Sequence, residues 1–199
     1  MGYFPALKDD THLADVFGKF NMGLESLTAF HDDVLRGESD LSIAERELIA
    51  AWVSASNDCQ FCFNAHKVYA LAFGIEETLF DAMIEDLDSA PVDARLKPLL
   101  AYCRKLTVAP ARMVQADVDS VINAGWSEEA LHTAILVTGI FNLMNRIIFA
   151  HGLPGNEALY AERTAEMLAR PIEERKADNR KQVGSRPYSA FGATTDQKD

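Results

Sequence analysis

The chain has 199 residues, 48% hydrophobic and 25% charged, which is enough apolar side chain for one well-filled domain and too much for a disordered polymer. Nineteen lysines and arginines stand against thirty aspartates and glutamates, and the net charge of −11 repels nucleic-acid phosphates and anionic lipid headgroups. No apolar run approaches the roughly 18 to 20 residues of a spanning helix, residues 1–10 lack the order of a signal peptide, and three cysteines are too few for a disulfide scaffold; a cytoplasmic protein with no nucleic-acid or membrane partner is expected.

The segment 12–35 is interrupted by Gly18 and Gly23, so two short helices or one broken helix are expected there. Ser42 followed by Glu45 forms a capping box, and Leu48, Ile49, Trp52 and Val53 continue it with helical spacing, predicting a helix over 42–56. Asn57 and Asp58 can accept from the free amides of a next turn. Phe61, Cys62, Ala65, Val68, Tyr69 and Ala72 then repeat helically up to Gly74, a candidate C-cap.

Further helical faces follow at Leu79, Met83, Ile84 and Leu87, at Leu96, Leu99, Leu100 and Leu106, and at Val114, Val118, Val121 and Ile122. No alternating strand pattern is present. The segment 127–150 is apolar around more than one face, which suits the centre of a bundle or a place between subunits. Phe73-Gly74-Ile75 and Ala124-Gly125-Trp126, each followed by acidic residues, echo one another; they mark a duplicated helical unit or simply two helix-to-helix turns. The expected organisation is one helical domain over 1–170 with its core at 41–153. Residues 171–199, too polar for a core, form a tail or an arm laid over a neighbouring surface.

Cys59-Gln60-Phe61-Cys62 puts two thiols at i and i+3 in the first turn of a helix, where partial positive charge favours thiolate and a small disulfide ring can close. His66, four residues after Cys62, lies over the same face and can exchange protons near neutral pH. Zinc is the structural rival, but a closed site needs a fourth ligand and no second Cys-x2-Cys or His-x3-His follows. Phe63 after Cys62 excludes c-type haem attachment, and no strand-helix-strand pattern supports a thioredoxin fold. Glu47 can reach the His66 face if the two helices run antiparallel; by spacing alone it reads as one of many solvated acids. Cys103, among Leu99, Leu100 and Leu106, reads as a buried inert thiol. His132, Asn145, Arg146 and His151 lie on or just after the long helix, where they could line a cleft beside the dithiol or serve packing and subunit contact.

Glu47, eleven residues, Cys59-Gln60-Phe61-Cys62, three residues and His66 together resemble the Glu-x11-Cys-x2-Cys-x3-His signature of the alkylhydroperoxidase D and carboxymuconolactone decarboxylase superfamily. The wider frame from Ala44 through His66 is similar to its peroxidase-related branch, and the resemblance spans residues 41–153, including Phe141-Asn142 and Asn145-Arg146. It implies an all-α, alkylhydroperoxidase D-like (AhpD-like) bundle with an internal repeat, assembled as a homo-oligomer, trimer or hexamer, with helices packing across subunits. It further implies a thiol peroxidase in which Cys62 meets the hydroperoxide and becomes a sulfenic acid and Cys59 resolves it as a Cys59–Cys62 disulfide. Glu47 and His66 would relay protons, and a dithiol donor of lipoamide or thioredoxin type would recycle the enzyme. No metal or organic cofactor is implied. This chain has Phe61 where the best-studied relatives carry a histidine between the cysteines. The alternatives are a redox-sensing or metal-binding dithiol protein without peroxide turnover, or a general protein disulfide reductase; lactone decarboxylation, known elsewhere in the superfamily, needs no thiol pair.

Overall fold

A computed structural model describes residues 2–8 and 11–195, and among these residues it is all-α, with no strand. The helices are α1 (Leu13–Lys19), α2 (Leu24–Arg36), α3 (Ile43–Ser56), α4 (Gln60–Ala72), α5 (Thr78–Glu85), α6 (Leu96–Val108), α7 (Gln115–Asn123), α8 (Glu128–His151), α9 (Glu157–Leu168), α10 (Ile172–Lys181) and α11 (Pro187–Thr195), with a single 3-10 turn at Pro110–Arg112. The early break falls at Gly23, whose φ of +76° starts α2, while Gly18 stays inside α1.

The centre is α3, packed on α4, α6 and α8. Ser42 Oγ accepts from Glu45 N at 3.2 Å and Ser42 N donates to Glu45 Oε2 at 2.7 Å, so the capping box starts α3 as its sequence implies. Leu48, Ile49, Ala50, Ala51 and Val53 are fully buried, so neighbours surround α3 on all sides, with Arg46, Glu47 and Ser54 buried beside its apolar residues. Helix α8 has 24 residues and contains an 18-residue window with a mean hydropathy of 1.5, long and apolar enough by length and composition to cross a membrane although no uninterrupted apolar run marks it. Thr138, Gly139, Asn142 and Asn145 break the run without making the average polar. In this fold α8 packs against α2, α3, α4 and α6, and fewer than half of its apolar window is buried.

One turn recurs where helices end. At α4, Gly74 N donates to Leu71 O and Ile75 N to Ala70 O; at α7, Gly125 N donates to Ile122 O and Trp126 N to Val121 O. These are Schellman turns, and the glycines at φ +96° and +90° occupy the left-handed position such turns require. The echo seen in the sequence is this shared geometry. A Cβ at residue 74 would also collide with the Lys176 side chain on α10. Gly74→Ala is therefore expected to lower stability by about 1–2 kcal/mol or more, checked by urea denaturation; an unchanged midpoint would show that the turn relaxes freely.

Beyond Pro171 the chain lies on the bundle as two helices; residues 196–199 fall outside the described part. Arg175, 4% exposed, donates to Leu71 O, and Asn179 donates to Phe73 O at 2.8 Å while accepting from Ala44 N at 2.9 Å. Helix α10 thus adds a second donor to Leu71 O and supplies partners to the free Phe73 carbonyl ending α4 and to a free amide starting α3. Helix α11 begins on Asp32, a buried carboxylate of α2 that accepts from Tyr188 N at 2.9 Å and Ser189 N at 2.8 Å, as suits a helix N-terminus. An Arg186–Asp33 ion pair and a 2.7 Å bond from Gly184 N to Arg36 O complete the attachment. Gly192 lets α11 approach α2 closely, since a Cβ there would lie 3.1 Å from Thr28 Oγ1.

Candidate active site

The thiol pair is placed by the end of α3 as much as by the start of α4. Asp58 N donates to Ala55 O and Cys59 N to Ser54 O, another Schellman turn, with Asp58 at φ +56° where glycine is usual. Cys59 is then the N-cap of α4, and its carbonyl accepts from Phe63 N. Asn57 and Asp58 do not cap α4, contrary to the sequence reading. Asn57 ends α3 and donates to Asn145 Oδ1 at 2.9 Å and Asn142 Oδ1 at 3.2 Å on α8.

The same turn makes α3 and α4 close neighbours and brings Glu47 onto His66. His66 Nδ1 lies 2.6 Å from Glu47 Oε2, and Glu47 is fully buried. Glu47 Oε1 receives the Arg36 guanidinium at 2.6 Å and the Tyr188 hydroxyl at 3.4 Å. Burial works to raise the carboxyl, but the Arg36 and His66 charges and hydrogen bonds outweigh it, so the group lies below the ordinary carboxylate range. Arg36 is itself enclosed by Phe73, Tyr188 and Tyr69, whose ring centres lie 5.2, 5.5 and 6.0 Å from the guanidinium carbon.

Cys59 and Cys62 are both buried free thiols, 1% and 4% exposed. A hydrogen bond from Cys62 lowers the Cys59 thiol, aided by backbone amides and by Asn145 despite burial. The same bond and burial push Cys62 up. Of the two, Cys59 is the more readily ionised thiol, in keeping with its N-cap position. Asn145, 1% exposed, touches both sulfurs and donates to Ser54 Oγ at 3.1 Å.

A cavity of about 570 Å³ opens beside the pair. Cys62, His66 and Phe61 of α4 line it, with His31 and Arg36 of α2, Phe141 and Met144 of α8, Tyr160 of α9 and Tyr188 and Phe191 of α11. Cys59 stays behind Cys62, away from the lining. The walls are chiefly apolar and aromatic with few polar groups, the composition of a small-molecule site.

Of the residues singled out in the sequence, Glu47, Cys59, Cys62 and His66 come together. Asn145 joins them, whereas His132 and Arg146 are exposed and His151 stacks on Phe4 with its Nδ1 on Ile147 O, so these three do not line the cleft. Cys103 is buried, and burial pushes its thiol up to about 12. Among the described residues no group of three or more His, Cys, Asp and Glu side chains is arranged to hold a metal ion. Sequence reasoning missed Arg36, His31 and Tyr188. Arg36 carried no motif, but Arg within an otherwise amphipathic α2 that buries it was the available signal.

A sequence model described as the carboxymuconolactone decarboxylase family matches residues 23–97, which hold Glu47, both cysteines and His66. An uncharacterized peroxidase-related protein from Silicibacter sp. TM1040 is similar to this chain at 30% identity and TM-score 0.66, over 71% of this chain and 74% of that one. An uncharacterized peroxidase-related protein from Ralstonia eutropha JMP134, described as an alkylhydroperoxidase AhpD core, shares the fold at TM-score 0.68 and 21% identity, over 75% and 78% of the two chains. No curated protein matches. The chain belongs to the carboxymuconolactone decarboxylase family, in its alkylhydroperoxidase D-like, peroxidase-related branch.

Proposed function

We propose that the protein is a thiol peroxidase that reduces organic hydroperoxides through a Cys59/Cys62 dithiol cycle. The observation that carries this reading is that Cys62 and His66 share one cavity wall while the other imidazole nitrogen is fixed on the buried Glu47 at 2.6 Å. With Nδ1 committed, Nε2 is the nitrogen available to the cavity. Glu47 holds the ring's orientation.

In this cycle Cys59 first gives its proton to His66. The Cys62 proton passes along the thiol–thiol bond to Cys59, and the Cys62 thiolate attacks the terminal peroxide oxygen. The S–O bond forms, the O–O bond breaks, sulfur loses two electrons, and the leaving alkoxide takes the His66 proton. Cys59 then returns its proton to His66, and its thiolate attacks the Cys62 sulfenic acid. The disulfide forms, and the departing hydroxide leaves as water with that proton. An external dithiol restores both thiols by exchange.

Cys62 is assigned the peroxide because it alone of the pair faces the cavity, although Cys59 is the more readily ionised thiol. The burial of both sulfurs disfavours exchange with large protein disulfides. Reduced protein should be treated with one equivalent of cumene hydroperoxide, quenched and analysed by mass spectrometry. Loss of two hydrogens across the Cys59–Cys62 peptide is expected in the wild type, and a single oxygen on Cys62 in Cys59→Ser. Unmodified thiols in both proteins would overturn the proposal.

A further inference from the structure

We propose that His31 is a further catalytic residue: its Nε2 accepts a hydrogen bond from the hydroperoxide O–H and so holds the terminal oxygen toward Cys62. The proposal rests on the peroxidase reading and adds to it a role for a residue on a different helix.

The tautomer follows from the hydrogen bonds. His31 is 6% exposed, and its Nδ1 lies 2.7 Å from Leu27 O, one turn back on α2. A carbonyl oxygen only accepts, so Nδ1 carries the hydrogen and the neutral ring presents a bare Nε2. Burial in particular, with the nearby His66, lowers the tendency of this ring to protonate, despite the Leu27 bond and the Asp32 and Glu47 charges that oppose it. The ring lines the same cavity as Cys62 and His66. His31 and His66 both meet Phe141 edge-on, at 6.2 and 4.2 Å between ring centres, and Tyr188 lies against His31 at 5.4 Å. A bare acceptor at a mostly apolar wall has few uses for the fold, which already has its Leu27 bond.

A hydroperoxide has one hydrogen-bond donor, the O–H on the oxygen that the thiolate attacks. An acceptor for that hydrogen orients the oxygen without competing for the alkoxide, which needs a donor. The hydrogen stays on the transferred oxygen and becomes that of the sulfenic acid, so His31 neither gains nor loses a proton over the step. His66 supplies the proton to the leaving alkoxide. The two histidines have opposite tasks, one accepting and one donating, and their different partners, a carbonyl and a carboxylate, set them apart.

The test uses the full-length reduced protein with cumene hydroperoxide. His31→Phe keeps a ring between Phe141 and Tyr188 without an acceptor, and His31→Gln restores an acceptor oxygen. The rate of thiol oxidation is expected to fall about 10²-fold in His31→Phe, to recover in part in His31→Gln, and the rate of iodoacetamide alkylation to stay near wild type in both. A phenylalanine variant that oxidises at the wild-type rate, or loses alkylation in parallel, overturns the role. Nitrogen-15 NMR of the wild-type imidazole provides a readout independent of variant folding. It should show hydrogen on Nδ1 and a bare Nε2 that shifts when cumyl alcohol is added; hydrogen on Nε2, or no shift, overturns the proposal. A wild type that ignores hydroperoxide overturns the peroxidase reading and this role with it, whereas failure of His31 alone leaves that reading standing.

Discussion

Arg36→Leu is expected to destabilise the protein by about 3–5 kcal/mol at pH 7, the usual result of leaving one member of a buried ion pair behind. Glu47 loses its 2.6 Å guanidinium partner while remaining fully buried, with only His66 and a long Tyr188 bond left to it. The pH dependence carries the sign of the linkage. In the wild type the folded carboxyl lies below its unfolded value, so its contribution is complete above the ordinary carboxylate range and is lost as pH falls through the lowered folded value. Without Arg36 burial prevails, the carboxyl protonates more readily, and the deficit relative to wild type narrows as pH falls. Urea denaturation at several pH values checks this, and a deficit that is small at pH 7 or constant with pH would show that the Arg36–Glu47 pair does not anchor the site.

Cys62→Ser should abolish hydroperoxide turnover, a loss of at least about 10³-fold, because a serine hydroxyl is neither ionised nor oxidisable under these conditions. Stability should change little, since the side chain keeps nearly the same volume at the first turn of α4. The companion Cys59→Ser separates the two chemical steps. It should keep the first oxidation, slowed by loss of the internal proton acceptor, and fail to close the disulfide. Steady-state turnover with a dithiol donor, followed beside single-turnover oxidation, reads both. Full turnover in Cys62→Ser would remove the thiol cycle from this protein's chemistry.

The sequence showed α3, α4 and the long α8 through capping, period and apolar content, and the four signature residues through their resemblance to the family's pattern. Spacing alone singled out the thiol pair and His66 and left Glu47 as one of many solvated acids; the resemblance joined the four into one proposed chemistry. Asn57 and Asp58 were misread as caps of α4 because the same residue types end helices as well as start them, and only the backbone decides; Asp58 lies in the left-handed region and Asn57 turns to α8. Arg36, His31 and Tyr188 were illegible for another reason. Tyr188 meets Glu47 across 141 residues of sequence, and no local pattern in a polar segment foretells which face of the bundle it will cover.

That long separation also sets an order of events during synthesis. Glu47, Cys59, Cys62 and His66 all lie on α3, α4 and the turn between them, and these can pair soon after they emerge from the ribosome. The wall formed by Tyr188 and Phe191 is translated well over a hundred residues later. At about 5–20 residues per second the nascent chain carries the thiol pair for roughly 6 to 24 seconds before α11 exists to close that side. During this interval the Arg36 guanidinium and Glu47 lack the Tyr188 ring, and oxidants and thiols of the cell can reach a site that the finished molecule encloses.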